Sequence, residues 1–331
     1  MNAMQHSVRG FTAALVALWL GGCIGSAYYA QSQHIPAFVS AAVLPAILVE
    51  LSLYFASGFE KTRLRFEKAF SEPVRALCLT VSGLVPYSLY TVPLGLFRWD
   101  HFLLLALLAG AVSFWFVMLP AGRITDVLLL ALLASVMLIK LFPTIYPRPY
   151  ERLRVDFLGQ LLWIRLGLMA FLSFRHVEGV RVGLIPRARD WVIGIRYFVF
   201  FMPLAAALNA WIGFARYNPP AAPWWQTLLL AAGMFAGVFW VLALGEEFFF
   251  RGLLQRWLCD WTANEWAGVV LASLLFGSVH LWFRDFPNWR FAVLATVAGV
   301  FYGLAFRSGK GVRAAMITHS LVVVTWRVFF D

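Results

Sequence analysis

Long apolar runs separated by short polar stretches dominate the chain. Taken at the roughly 20 residues that a helix needs to cross a bilayer, they predict spans at 11–30, 37–57, 76–96, 102–119, 124–142, 156–174, 192–214, 225–258, 266–283, 291–306 and 314–330. Runs this long, without strict alternation, argue for helices rather than strands. The run at 156–174 is the least regular, because Asp156, Gln160 and Arg165 interrupt it. The expected fold is all-α, a polytopic transmembrane helical bundle of about 10–11 spans.

The polar connectors are strongly basic. Lys61, Arg63, Arg65, Lys68 and Arg75 fall in one, and Arg175, Arg181, Arg187 and Arg189 in another. Both lie on one side if the N-terminus is cytoplasmic, as the positive-inside rule requires. Arg148, Arg152 and Arg154 in the connector 143–155 are at odds with that count. A charged, proline-containing connector, "GLIPRARD" at 183–190, separates two apolar halves. The expected division is an N-terminal transmembrane region at 1–182, of unknown role, and a functional core at 183–331.

Composition agrees with a membrane protein. Of 331 residues, 62% are hydrophobic and 13% charged, with a mean hydropathy of +0.77, whereas soluble domains carry about a quarter charged residues. The net charge of +11 therefore reads as cytoplasmic loops meeting anionic head groups, not as a nucleic-acid surface. Cys23, Cys78 and Cys259 form neither a paired motif nor a disulfide framework. Cys23 follows "WLGG", in the manner of a lipoprotein cleavage site. Apolar sequence nevertheless continues to Tyr29, so the expectation is a complete span.

Ionisable groups in the first half are scattered; Glu50 and Arg165 are the deepest, and pairing across helices is the expected reading. In the second half they gather. Glu246, Glu247 and Arg251 lie within "LGEEFFFRG", His280 in the next span and His319 in the last. Ionisable groups at membrane depth mark a functional site by default. Glu247 and Arg251 are four residues apart with the acid first, the favourable order for a helical ion pair. Glu246 is turned by about 100° from Glu247 and so lacks that charge partner, which suits a general base.

Counting along the helices puts Glu246 about 18 Å and His280 about 21 Å from one membrane face, whereas His319, counted from Arg313, lies only about 9 Å in. Phe276, four residues before His280, shares its face as packing or pocket wall. The run Phe248–Phe250 reads as lipid contact.

Three ordered motifs carry a resemblance. "EEFFFRG" resembles the E-E-x-x-x-R motif of the CPBP intramembrane proteases, the type II CAAX prenyl endopeptidase and bacteriocin-processing group. "FGSVH" is similar to its F-x-x-x-H motif at Phe276 and His280, and "HSLVV" matches H-x-x-x-N at His319, with Val323 at the asparagine position. The similarity spans about residues 190–331. It implies hydrolysis of a peptide bond within the bilayer, with Glu246 activating water, His280 helping to position it and His319 stabilising the oxyanion. The expected site is therefore Glu246, Glu247, His280 and His319, with Glu247 and Arg251 as a structural ion pair and Phe276 in the pocket. Losing the asparagine removes one oxyanion donor, which costs about a hundredfold or more in rate; Thr325, Ser320 and Asn288 are the candidates to replace it.

The family has also been read as zinc proteases, and Glu246, His280 and His319 form a two-histidine, one-carboxylate set. No H-E-x-x-H helix is present, and a Glu–Arg pair needs no metal. The expectation is a metal-free glutamate mechanism without cofactor, with zinc the alternative. Two other function classes compete: a non-catalytic binding, immunity or regulatory protein on the same fold, and a proton-coupled transporter. Expected partners are a membrane-anchored peptide or protein substrate and the lipid bilayer, with no nucleic acid. The expected location is the cell membrane, multi-pass, in a bacterial inner membrane.

Overall fold

A computed structural model describes residues 2–180, 182–284 and 286–331, with side chains from Phe11 onward. The described residues are all-α, 79% helical and without strands. Among the described residues, eight helices are long and apolar enough to cross a membrane. The chain divides into two compact units, residues 1–178 and 179–331.

The first unit comprises α1 (Asn2–Ser32), α2 (Ala37–Gly58), α3 (Glu60–Ala69), α4 (Glu72–Thr91), α5 (Trp99–Ser113), α6 (Trp115–Met118), α7 (Arg123–Leu138), α8 (Phe142–Ile145) and α9 (Phe157–Met169). Helix α1 continues without a break through Cys23. Helices α4, α5 and α7 stand where further spans were expected but do not reach the length and hydropathy of the eight.

The irregular run at 156–174 is the core of this unit. Helix α9 continues as a π-helical turn, Ala170–Phe174, and 83% of the combined segment is buried. Its apparent interruption has a cause. Arg165 grips Glu50 of α2 through Nε and Nη2 at 3.0 and 3.1 Å, and its Nη1 donates to the Ser82 hydroxyl at 2.9 Å. Both charged side chains are essentially inaccessible. A bidentate, fully hydrogen-bonded pair is the form in which buried charges are tolerated, so the helix can be central because its charge is matched.

The second unit comprises α10 (Ala188–Ile212), α11 (Trp224–Gly237), α12 (Leu244–Glu247), α13 (Arg256–Thr262), α14 (Glu265–Val279), α15 (Trp289–Gly309) and α16 (Val312–Phe329). Helices α11 to α13 form one continuous 39-residue helical run, Trp224–Thr262, joined by π-helical segments Val238–Ala243 and Phe248–Gln255. Ala263 in a left-handed conformation ends that run, and the Asn264 side chain caps α14 by accepting from the backbone N–H groups of Trp266 and Ala267. Asn288 caps α15 likewise, accepting from Phe291 N.

Helix α16 is the hub. It packs on α10, α15 and the long run, and Val312 and Ala314–Ser320 are buried. Close approach to α10 needs Gly194, where a Cβ would fall 2.6 Å from Ile317 and 2.9 Å from the Ala314 carbonyl. Thr318 tightens the same contact by donating to the Gly194 carbonyl at 3.0 Å.

Candidate active site between the helices of the second unit

Glu246 and Glu247 occupy the single α-helical turn of α12, between the two π-helical segments. A π segment shifts the side-chain register of a helix and is frequent at functional sites. The rotation of about 100° expected between Glu246 and Glu247 is that of a regular helix; nothing in the apolar pattern marks the change of register.

Glu247 and Arg251 approach to 3.4 Å, Oε2 to Nε, and both are fully buried. Those two atoms form no aligned hydrogen bond, so the contact is an ion pair. The guanidinium is held by other groups. Its Nη2 donates to the Gly299 carbonyl at 3.2 Å, and its centre lies 4.4 Å from the Phe276 ring and 5.5 Å from the Tyr302 ring. Desolvated cation–π contacts of this kind contribute about 2 kcal/mol. Phe250 also faces Arg251 and packs edge-on against Phe276, and Phe248 is buried. The expectation of lipid contact is corrected for Phe248, which is buried; Phe249 and Phe250 are half-buried.

His319 comes from α16. Its Nδ1 lies 2.7 Å from Glu247 Oε1, and its Nε2 lies 3.8 Å from Glu246 Oε2. A carboxylate only accepts, so Nδ1 carries the proton of that bond and Nε2 faces Glu246. The ring stacks on Tyr302 at 4.6 Å with an interplanar angle of 11°.

The depth count from Arg313 sets His319 apart from the glutamates. Whatever its depth, the ring is brought to 2.7 Å from Glu247 and 3.8 Å from Glu246.

His280 follows α14, at the start of a short 3-10 turn. Its Nδ1 is 2.7 Å from the Phe276 carbonyl, an acceptor, so Nδ1 is again the protonated nitrogen. The Phe276 ring contacts both histidines, 4.6 Å from His280 and 5.9 Å from His319. The structure thus gathers Glu246, Glu247, Arg251, His319 and Phe276 directly, and brings His280 in through its contact with Phe276.

A cavity of about 310 Å³ opens between α10, α15 and α16 and reaches His280, His319, Phe276 and Tyr302. Its wall is mostly apolar. Glu246 does not line it; the carboxyl sits behind His319, with side-chain exposure of 29% and Oε2 buried without a hydrogen-bond partner among the described residues. Val323 lines the cavity, as does Thr325. Asn288 is occupied as a helix cap, and it also donates to the Phe283 carbonyl at 3.0 Å. The Ser320 hydroxyl is buried without a partner, away from the cavity wall.

Among the described residues, no group of three His, Cys, Asp or Glu side chains is arranged to hold a metal ion.

Sequence reasoning missed Tyr302 and Gly299. Tyr302 had a signal: it carries a hydroxyl inside the span at 291–306, where a buried tyrosine needs a partner for its O–H. Gly299 had none, because its role is to let a backbone carbonyl face Arg251.

No curated protein and no solved structure matches the chain. Residues 223–325 match the model of the family described as Type II CAAX prenyl endopeptidase Rce1-like. That match supports placing this segment, and with it the motifs of Glu246, His280 and His319, in the CPBP family.

Proposed function

We propose that this multi-pass membrane protein is an intramembrane endopeptidase that hydrolyses a peptide bond of a membrane-anchored peptide or protein through a water activated by Glu246. The observation that carries this reading is His319, held by Glu247 at 2.7 Å and facing Glu246 at 3.8 Å, at the inner wall of an apolar cavity. The family-model match over residues 223–325 supports the general activity, and the roles of Glu246 and His280 are those the resemblance implies.

In the proposed reaction, Glu246 takes a proton from water as the water oxygen bonds to the substrate carbonyl carbon. The carbonyl π pair moves onto oxygen. When the tetrahedral intermediate collapses, the C–N bond breaks and the proton passes to the leaving amine. His280, with its Nε2 free, positions the water. Glu247 orients His319, whose Nε2 faces the reacting groups, and Arg251 balances the charge of Glu247. No step requires a metal ion. The apolar cavity suits a substrate presented from the bilayer, in the cell membrane of a bacterium. Residues 1–182 form a separate transmembrane region and 183–331 the protease core.

Val323 on the cavity wall favours a second reading, a non-catalytic binding or regulatory protein. One experiment separates the two. The purified protein in liposomes is incubated with quenched peptides, with and without a C-terminal prenyl-cysteine, and the products are mapped by mass spectrometry. A defined cleavage site that disappears in His319→Ala supports the endopeptidase. Saturable binding of intact peptide, with no cleavage by the wild type, supports the binding protein.

A further inference from the structure

Tyr302 is 2% exposed, lines the cavity, and makes no hydrogen bond to a described residue. Buried tyrosine hydroxyls ordinarily find a partner, so a free one at the inner end of a cavity points to a ligand. Its surroundings are built rather than incidental. One face of the ring stacks on His319 at 4.6 Å, and the ring also lies near the Arg251 guanidinium, at 5.5 Å, and edge-on to Phe276, at 5.9 Å. These contacts fix the ring against His319.

Peptide hydrolysis places a full negative charge on the former carbonyl oxygen, and a site excluded from water needs donors aimed at it. The other side chains of the cavity wall that carry polar atoms are Asn209, His280, His319, Thr325 and Trp326. Asn209 is occupied at both ends of its amide, donating to the Ala215 carbonyl and accepting from Ala215 N, each at 2.8 Å. In their neutral forms both histidines commit the Nδ1 proton, to the Phe276 carbonyl and to Glu247, and present an acceptor at Nε2. Thr325, six residues beyond His319 on α16, is turned by about 120° from it. Thr325 and the Trp326 indole lie six and seven residues beyond His319, about 9 and 10.5 Å along α16, whereas the Tyr302 ring stacks directly on His319 at 4.6 Å, and its O–H needs no change of charge to donate.

We infer that Tyr302 is a catalytic donor: its hydroxyl hydrogen-bonds to the oxyanion formed when water adds to the peptide carbonyl. The inference rests on the endopeptidase reading above. Tyr302 transfers no proton in this role; it binds the oxygen that gains the π pair and releases it when the carbonyl re-forms.

The test is steady-state cleavage of the best quenched peptide by wild type and by Tyr302→Phe, Thr325→Val, Glu246→Gln and Tyr302→Phe combined with Val323→Asn. It is accompanied by thermal melts and by inhibition with the matching peptide aldehyde, which mimics the tetrahedral state. Expected for Tyr302→Phe is a loss of about a hundredfold in kcat, KM within about threefold, and an aldehyde inhibition constant weakened in step with kcat/KM. Thr325→Val should stay near wild type, and Val323→Asn should recover part of the lost kcat. A folded Tyr302→Phe variant that keeps wild-type kcat and aldehyde affinity, while Glu246→Gln is inactive, overturns the inference and leaves the endopeptidase reading standing. If the single variant does not fold, failure of the aldehyde to protect Tyr302 from tyrosine-selective modification in the wild type overturns it. Wild-type cleavage by Glu246→Gln, or none by the wild type, removes the endopeptidase reading and this inference with it.

Discussion

Glu247 and His319, 72 residues apart in sequence, share a 2.7 Å hydrogen bond in the buried centre of the second unit. The bond gives Glu247 a task beyond its pairing with Arg251. One carboxylate oxygen meets the guanidinium and the other meets the imidazole. The acid thus ties the long run containing α12 to α16, and it fixes which nitrogen of His319 faces Glu246.

Glu247→Gln should therefore impair both folding and turnover. The amide lacks the charge that matches Arg251, and its rotamer can no longer satisfy both partners. The expected result is a lower melting temperature together with a loss of about tenfold or more in kcat per folded molecule, as for other groups that orient a catalytic histidine. Turnover per folded molecule equal to wild type would confine Glu247 to a structural role.

Arg251→Ala should cost about 3–5 kcal/mol, the usual penalty for leaving one member of a buried pair uncompensated. Arg251→Lys should rescue little, because an ammonium cannot at once reach the Gly299 carbonyl and spread over the rings of Phe276 and Tyr302. Folded yield by size exclusion in detergent and thermal melts measure both effects. Wild-type yield from Arg251→Ala would show that the pair contributes nothing.

The first unit offers a parallel case without the chemistry. Glu50→Ala removes the bidentate partner of Arg165 and should also cost about 3–5 kcal/mol. The loss should appear as proteolytic sensitivity within residues 1–178, while the molecules that remain folded cleave peptide normally. A selective loss of turnover would instead give the Glu50–Arg165 pair a part in the reaction.

Gly194→Ala tests the contact of α10 with α16. Its Cβ would meet Ile317 and the Ala314 carbonyl, and a backbone carbonyl cannot rotate away as a side chain can. Overpacking of this kind costs about 1–3 kcal/mol. Because both helices bound the cavity, KM should rise as well. A melting temperature and KM unchanged from wild type would mean that the helices separate freely at this point.

Much of this was legible in the sequence because it depends on local spacing. Eight apolar runs became spans, and the i to i+4 relation of Glu247 and Arg251 became an ion pair. What was not legible depends on partners remote in sequence. The segment around Arg165 looked weak because its match, Glu50, lies 115 residues away. The counted depth of His319 sets it apart from the glutamates, while the contact that joins them, Glu247 to His319, spans 72 residues. Phe248 reads as lipid-facing because a buried phenylalanine carries the same apolar signature as one facing acyl chains. The π-helical segments flanking α12 leave no trace in hydropathy at all.

The most direct test of Glu246 as the water-activating base is the cleavage rate of Glu246→Gln against wild type in liposomes, with and without a metal chelator. Glutamine preserves size and can accept a hydrogen bond but cannot take a proton from water at neutral pH. The expected result is a folded variant with a wild-type melting temperature that binds the peptide and has lost nearly all kcat, beside a wild type indifferent to the chelator. Wild-type cleavage by Glu246→Gln, or abolition of wild-type cleavage by the chelator alone, would contradict it.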